Sequence, residues 1–353
     1  MKSLMMYLCI LCLLSGCVET NTIDDINIIL AVGLDQSDRK QMMGTFLTDN
    51  FMPDKSITNK TYTSKAPLRR DLLIKANHQA AQPLVTGGVS VTVIGEKLGK
   101  QGIDDILDIY QGDVTIGARN FFAISEGTAK KILQGQYGPE GNGTYLYNLL
   151  DSKIKSKELP ETNLHFLLRD YYQKGKDIYL PRLKQISTNQ IEISGVSLFK
   201  KDKEVDVIPS GKLFYFRLLV DKHNKGFFFV PKNKKEAASI KGLSSKHEFI
   251  LSKKKPSEVT VQITIKGAIQ EYTGKNLGVK QVKEIQKNLE KKVEKECLQL
   301  VKSFQKNDTD PMGLGAFYKS RNRGFDYEKW AENYKNLNIK VVCRVTIEEP
   351  LII

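Results

Sequence analysis

The strongest constraint on the fold lies in the last quarter of the chain. Val279, Val282, Ile285, Leu289, Val293, Cys297, Leu300 and Phe304 recur every three or four residues, with lysines and glutamates filling the other positions. That period puts the apolar side chains on one side of an α-helix of about 26 residues, roughly 39 Å long. A helix with one apolar face has to bury it, and the sequence supplies the cover on both flanks. Val259, Val261, Ile263 and Ile265 alternate with Thr260, Gln262, Thr264 and Lys266 before the helix. Ile339, Val341, Cys343, Val345 and Ile347 share one face after it. Both stretches read as half-buried strands, so a strand–long helix–strand unit is expected from about residue 256.

The first 135 residues alternate differently. Short apolar runs at Ile26–Leu34, Thr45–Thr48, Val89–Ile94 and Phe121–Ile124 read as strands. Between them Pro67 opens a helix with Leu68, Leu72, Leu73, Ala76 and Ala80 on one face. Ile103, Ile106, Leu107 and Tyr110 form a second helix, and Thr128–Leu133 a third. The polar residues 52–66 read as a loop. Gly95-Glu96-Lys97-Leu98-Gly99-Lys100 reads as a turn after a strand: three residues, not four, separate its glycines, and Gln101 follows the lysine where a phosphate loop needs Ser or Thr.

Gly138–Gly143 is a loop, and helices follow around Tyr145–Ser152 and Asn163–Tyr172. A strand-rich section is expected from Gln190, with a bulge at Gly195, continuing through Leu213–Val220 and Gly226–Val230. The pattern predicts an α+β (mixed α/β) protein of more than one domain, with mixed sheets. The expected divisions are a leader at 1–16, an N-terminal domain at 17–194 with a sub-boundary near 136–144, and a C-terminal domain at 195–353.

The N-terminus says where such a chain is sent. Lys2 is followed by an apolar run, Leu4 to Leu14, which is too short to span a bilayer, and Leu14-Ser15-Gly16-Cys17 closes it. The small residues before Cys17 fit a signal whose removal leaves an acylated cysteine as the new N-terminus. Two acyl chains on a diacylglyceryl group hold a protein to a membrane where one would be marginal. Cys9 and Cys12 would leave with the signal. Cys297 and Cys343 fall on apolar faces and read as buried thiols; a disulfide between them suits an exported protein, although spacing does not establish it.

Chemistry is sparse. The four histidines, His78, His165, His223 and His247, are far apart in sequence, and no Cys/His cluster has metal-ligand spacing, so no metal site or cofactor is expected. Asp24-Asp25 and Asp104-Asp105-Asp108 stand at element starts, where acids cap helices and suit the macrodipole. No G-x-S-x-G elbow occurs, so the chain does not read as an enzyme. The formal net charge of +14 favours contact with something anionic. The lysine runs at 200–201, 232–235, 253–255 and 291–292 could serve that end or be solvated faces. No motif or compartment points to nucleic acid.

In this order the segments resemble the Ger(x)C family, the C subunits of spore germinant receptors. The resemblance runs over the whole chain after the leader. It is carried by Leu-Ser-Gly-Cys17, Asp25-Ile26-Asn27, Ala31-Val32-Gly33-Leu34-Asp35, Val91-Thr92-Val93-Ile94-Gly95-Glu96 and Gly127-Thr128-Ala129-Lys130-Lys131-Ile132-Leu133. Gly195-Val196-Ser197-Leu198-Phe199-Lys200 resembles the start of the family's second domain. Glu271-Tyr272-Thr273, the long helix, Asp310-Pro311-Met312-Gly313-Leu314-Gly315 and the segment around Trp330 continue the likeness. The family usually has Trp and Asp directly after the lipidated cysteine, where Val18 and Glu19 stand here.

The resemblance implies a non-enzymatic lipoprotein of the spore inner membrane. Its Cys17 would carry N-palmitoyl and S-diacylglycerol groups, and it would act with an A-type and a transporter-like B-type membrane subunit. Direct nutrient binding is not expected of it. The rival reading is a lipid-anchored solute-binding protein of an ABC-type transporter, which would need two similar lobes around a cleft. The two halves here look dissimilar.

Overall fold

The computed structural model describes residues 25–38, 41–113, 115–221, 226–231, 236–252 and 258–348. The architecture is α+β and is built on two sheets. The larger sheet opens with β1 (Asn27–Asp38), β2 (Gln41–Phe51) and β3 (Ile57–Ala66), three antiparallel neighbours. α1 (Arg69–Asn77) leads to the short β4 (Leu84–Val85) and to β5 (Val91–Gly95). α2 (Glu96–Gln101) and α3 (Asp104–Gly112) lead to β6 (Phe121–Ser125). α4 (Ala129–Leu133), α5 (Asn142–Lys155) and α6 (Leu164–Tyr172) precede β7 (Tyr179–Ser187), β8 (Gln190–Lys200) and β9 (Lys203–Pro209). The strand order is β3-β2-β1-β5-β6-β7-β8-β9, with β4 against β1. β1, β5, β6 and β7 are parallel, and antiparallel strands flank them on both sides.

The central strands are buried on both faces, which is why β5 and β6 have no exposed residue along their length. One face carries α1, α3 and α6 over Val32, Leu34, Ile94, Phe122 and Ile124. On the other face Ala31, Val91, Val93 and Ala123 meet α4 and α5. That second core continues without a break into the smaller sheet. Gly195 lies inside β8, beside a bulge: Gly195 pairs with Arg182 and Ile193 with Leu183, so Ser194 is unmatched.

The smaller sheet follows α7 (Leu213–Val220) and has the order β10 (Gly226–Pro231), β11 (Ala237–Leu251), β12 (Glu258–Tyr272), β13 (Asn338–Glu348). The long helix α8 (Val279–Lys306) packs on one side of it, placing Ile285, Leu289, Val293, Cys297, Leu300 and Phe304 in the core. α9 (Leu314–Arg321) and α10 (Tyr327–Tyr334) lie between α8 and β13. β13 runs parallel to β12 and forms an edge. Two of its backbone N–H groups, at Cys343 and Val345, donate to Glu294 Oε1 and Glu290 Oε1 of α8, each at 2.9 Å. An edge capped by carboxylates is a poor template for another strand.

Three local expectations need correcting. Residues 52–66 are not all loop: β3 turns Tyr62, Ser64 and Ala66 inward, and Ser64 Oγ donates to Leu72 O at 2.6 Å, so its polarity is satisfied inside. An edge strand tolerates the exposed Lys60 and Lys65 that made the segment look like a loop. Leu213–Val220 is a helix, not a strand. It is wedged between the two sheets, with Phe216 edge-on to Tyr179 of β7 at 5.2 Å and to Phe304 of α8 at 6.1 Å. Burial on several sides erases the period that distinguishes helix from strand in a short apolar run. Glu96–Gln101 forms a short helix where a turn was expected. Cys297 and Cys343 are both buried free thiols.

Candidate functional site

In an open α/β sheet, ligands usually sit in the crevice beyond the carboxyl ends of the parallel strands. Here that end is filled by the chain's own side chains. Asp35, near the end of β1, accepts the Ala129 N–H at 2.7 Å and the Lys130 N–H at 2.9 Å. It thereby caps α4 together with Thr128, whose hydroxyl accepts from Lys131 N–H at 3.3 Å. Burial pushes the Asp35 carboxyl up, opposed by those two N–H donors and the Lys130 charge. A Cβ at Gly95, the last residue of β5, would collide with Asp35 Oδ1, so only glycine fits there. Glu96 N–H donates to Gly127 O at 3.0 Å. The segments Ala31–Asp35, Val91–Glu96 and Gly127–Leu133 are separate in sequence and meet at this one point.

Beside them lies a buried charge cluster. Arg182 of β7 contacts Glu204 Oε1 of β9 at 2.6 Å, Ser197 Oγ of β8 at 3.2 Å and Glu96 Oε1 at 3.0 Å. Ser197 Oγ also donates to Glu204 Oε1, at 2.8 Å. Burial raises the Glu204 carboxyl, while Ser197 and Arg182 pull it down. The Glu96 carboxyl is held below its usual range, chiefly by its hydrogen bond to Lys100. These carboxylates hold strands and helix starts together. With the Glu204 side chain only 1% exposed, it has no route to a substrate proton.

A second junction ties the two sheets. Asp310 N–H donates to Asp177 Oδ2 at 2.7 Å, and Asp177 N–H returns to Asp310 O at 2.9 Å. The Asp310 carboxyl accepts from Leu314 N–H at 3.0 Å and Gly315 N–H at 2.8 Å, capping α9. Burial pushes this carboxyl up to about 7, against those donors. Ser303 Oγ and Asn307 Nδ2 at the end of α8 donate to Asp206 of β9 at 2.8 and 2.7 Å. The segment Asp310–Gly315 is thus the mortar between the halves.

Between the halves there is also a cavity of about 480 Å³, walled by Leu149, Leu159, Ile191, Ile193, Leu213 and Phe214, with Arg217 buried at its side. Arg217 Nε lies 3.2 Å from Asp221 Oδ2. Burial raises Asp221 to about 6 and lowers Arg217, so burial outweighs their mutual attraction at both partners. Of the charged groups that line it, Lys153 pairs with Glu158 at 2.7 Å and Lys157 with the neighbouring Glu161 at 3.2 Å.

The residues singled out from sequence fall as follows. Cys17 and Asp24 lie outside the described residues, as do His223 and the lysine runs at 232–235 and 253–255. Asp104 Oδ1 accepts the Asp105 N–H at 2.9 Å in the first turn of α3, and Asp108 accepts from the Tyr172 hydroxyl at 2.8 Å. Burial and Asp108 push Tyr172 up to about 12. His78 ends α1, His165 packs against Phe166, and His247 Nδ1 lies 3.2 Å from Asp221 O. Among the described residues no three His, Cys, Asp or Glu side chains gather where they could hold a metal. Arg182 and Glu204 gave no sequence signal, because their partners come from four different elements.

Comparison with known proteins agrees with this architecture. Residues 19–185 match the family described as spore germination protein N-terminal domain, and residues 194–350 match spore germination B3/GerAC like, C-terminal. The chain is 29% identical over 355 residues to spore germination protein GerQC of Bacillus cereus, covering 99% of both. It is 23% identical over 252 residues to spore germination protein A3 of Bacillus subtilis, covering 62% of this chain and 66% of that one. The crystal structure of the GerBC protein shares the fold, with a TM-score of 0.60 at 16% identity over 90% of this chain and 96% of that one. With both domain families matched in order along nearly its whole length, the chain belongs to the Ger(x)C family, the C subunits of spore germinant receptors.

Proposed function

We propose that the protein is a lipid-anchored, non-enzymatic C subunit that works by assembly with A-type and B-type membrane subunits in the inner membrane of the spore. The observation that carries this reading is the end-to-end match to a spore germination protein over 99% of both chains. Three features support it. The leader closes on Leu-Ser-Gly-Cys17. Among the described residues no helix is long and apolar enough to cross a membrane, so attachment through acylated Cys17 suits the folded part. Asp35, Arg182 and Asp310, all buried, are engaged in caps and joints, which fits a scaffold better than a catalyst. Tethering confines the folded part to the membrane surface and raises its concentration beside its partners.

The test is Cys17→Ala in the spore-forming host, read by membrane fractionation and by pull-down of co-purifying membrane subunits. The reading expects the wild type in the spore membrane fraction with receptor subunits, and the variant in neither. Co-purification of an ABC-type permease would favour the solute-binding alternative. An unaffected variant would refute anchoring through Cys17.

A further inference from the structure

The outward side of α8 carries a charge pattern that none of the roles above uses. Its exposed positions include Lys283, Lys287, Lys291, Lys295, Lys302 and Lys306, preceded by Lys280 in the first turn. The exposed positions among them that are not lysine are Val279, Glu284 and Gln299. At 100° per residue these lysines occupy one side of a helix, over a length of about 39 Å.

A solvated helix of mixed charge normally pairs glutamates with lysines four residues on. Here three of the glutamates are drawn away to the flanks, and Glu284 alone stays among the outward lysines. Glu290 and Glu294 are fixed on the N–H groups of β13, and Glu296 faces Lys212 at 3.5 Å. Lys292, on the other flank, donates to Phe229 O at 3.2 Å. None of the seven outward lysines forms an ion pair or hydrogen bond among the described residues. The result is a row of unpaired lysines on the outside of a helix whose other side is locked into the core.

We infer that this lysine ridge of α8 lies along the surface of an anionic phospholipid bilayer, with the helix axis in the membrane plane. The inference rests on the proposed anchor, because residues 18–25 fully extended reach only about 28 Å from the acylated cysteine. So short a tether keeps the folded part close to headgroups, and basic residues are attracted when held within a Debye length of about 10 Å. A row about 39 Å long suits a plane better than it suits a compact ligand. The cationic ammonium groups match phosphate oxygens without requiring any built pocket, which fits a fluid lipid surface.

The full-length acylated protein is reconstituted into neutral phosphatidylcholine vesicles and into vesicles containing about one-third phosphatidylglycerol. Each sample is treated with a lysine-acetylating reagent and read residue by residue by mass spectrometry. Lysines 283, 287, 291 and 295 should react about fivefold more slowly on the anionic vesicles, and the protection should vanish near 0.5 M salt, where screening is tighter. Lys246 and Lys340 project from the opposite face of the small sheet and should react alike on both. Equal rates for the ridge on both vesicles would overturn the inference, and so would protection of Lys246 and Lys340 to the same extent. Flotation with the neutral vesicles reports the acyl anchor separately. A chain that floats only with anionic vesicles, with the ridge protected, loses the anchor and keeps the ridge.

Discussion

Replacing Asp310 by alanine should loosen the join between the two sheets. The carboxyl accepts the Leu314 and Gly315 N–H groups at 3.0 and 2.8 Å in a fully buried position. Removing it leaves two buried donors without acceptors, at about 1–3 kcal/mol each, so a loss of about 2–6 kcal/mol is expected, reduced by relief from burying a carboxylate. The same group makes stability depend on pH. Its folded value of about 7 lies above the ordinary value of 3.8, because burial disfavours the charged form. The native chain therefore binds this proton more tightly than the unfolded chain does. The contribution is fully present below about pH 4 and is lost as the pH rises through 7, at about 1.4 kcal/mol per unit between those limits.

Urea unfolding at pH 5, 6, 7 and 8 measures both effects. Trp330 is the only tryptophan and packs against Gly315, so its fluorescence reports this junction, while far-UV circular dichroism reports the whole. Asp310→Asn keeps one acceptor oxygen and cannot titrate, so it should fall between wild type and alanine with a flatter pH profile. An alanine variant as stable as wild type, or an asparagine variant with the wild-type pH slope, would refute the reasoning.

Other changes test other joints. Arg182→Ala should cost about 3–5 kcal/mol in chemical denaturation, because it strands Glu204 as a buried, unpaired carboxylate; Arg182→Met with Glu204→Gln should recover part of that. Gly195→Ala should be recovered only in the insoluble fraction, or with a thermal midpoint lower by several degrees, because its Cβ would collide with the Ile208 carbonyl of β9. Burial pushes both the Cys297 and Cys343 thiols up, so a thiol reagent at pH 8 should label neither in the native protein and both in denaturant.

What could be read from sequence followed period and punctuation. Seven of the eight apolar positions read for α8, and the alternation of β12 and β13, hold because each element has one wet face; Val279, in the first turn of α8, is exposed instead. The helices read at Thr128–Leu133 and Asn163–Tyr172 are present as α4 and α6, and the Thr128 and Asn163 side chains cap them by accepting the Lys131 and Phe166 N–H groups. The misread elements lack that contrast. β3 is polar because it lies at an edge, whereas α7 is apolar nearly all round because it is wedged between sheets. β7 and β11 drew no expectation at all, the latter because Lys241, Ser244, Ser245 and Lys246 interrupt any apolar run.

The sites were less legible than the elements. Asp35 was visible as the end of a motif, but its role depends on Gly95 and Ala129, placed beside it by the sheet. Arg182 needs partners from α2, β8 and β9, and no spacing rule connects them.

The parallel pairing of β12 with β13 also sets an order of events. Some 65 residues separate the end of β12 from the start of β13, so the small sheet is a long-range structure that cannot close early. A chain emerging from its N-terminus, from a ribosome or through an export channel, can complete β1 to β9 while β12 still has a bare edge and the apolar side of α8 has no cover. During that interval the C-terminal half is the aggregation-prone part of the molecule. Premature termination between residues 210 and 338 would therefore leave a finished first sheet attached to an unfinished, sticky second one.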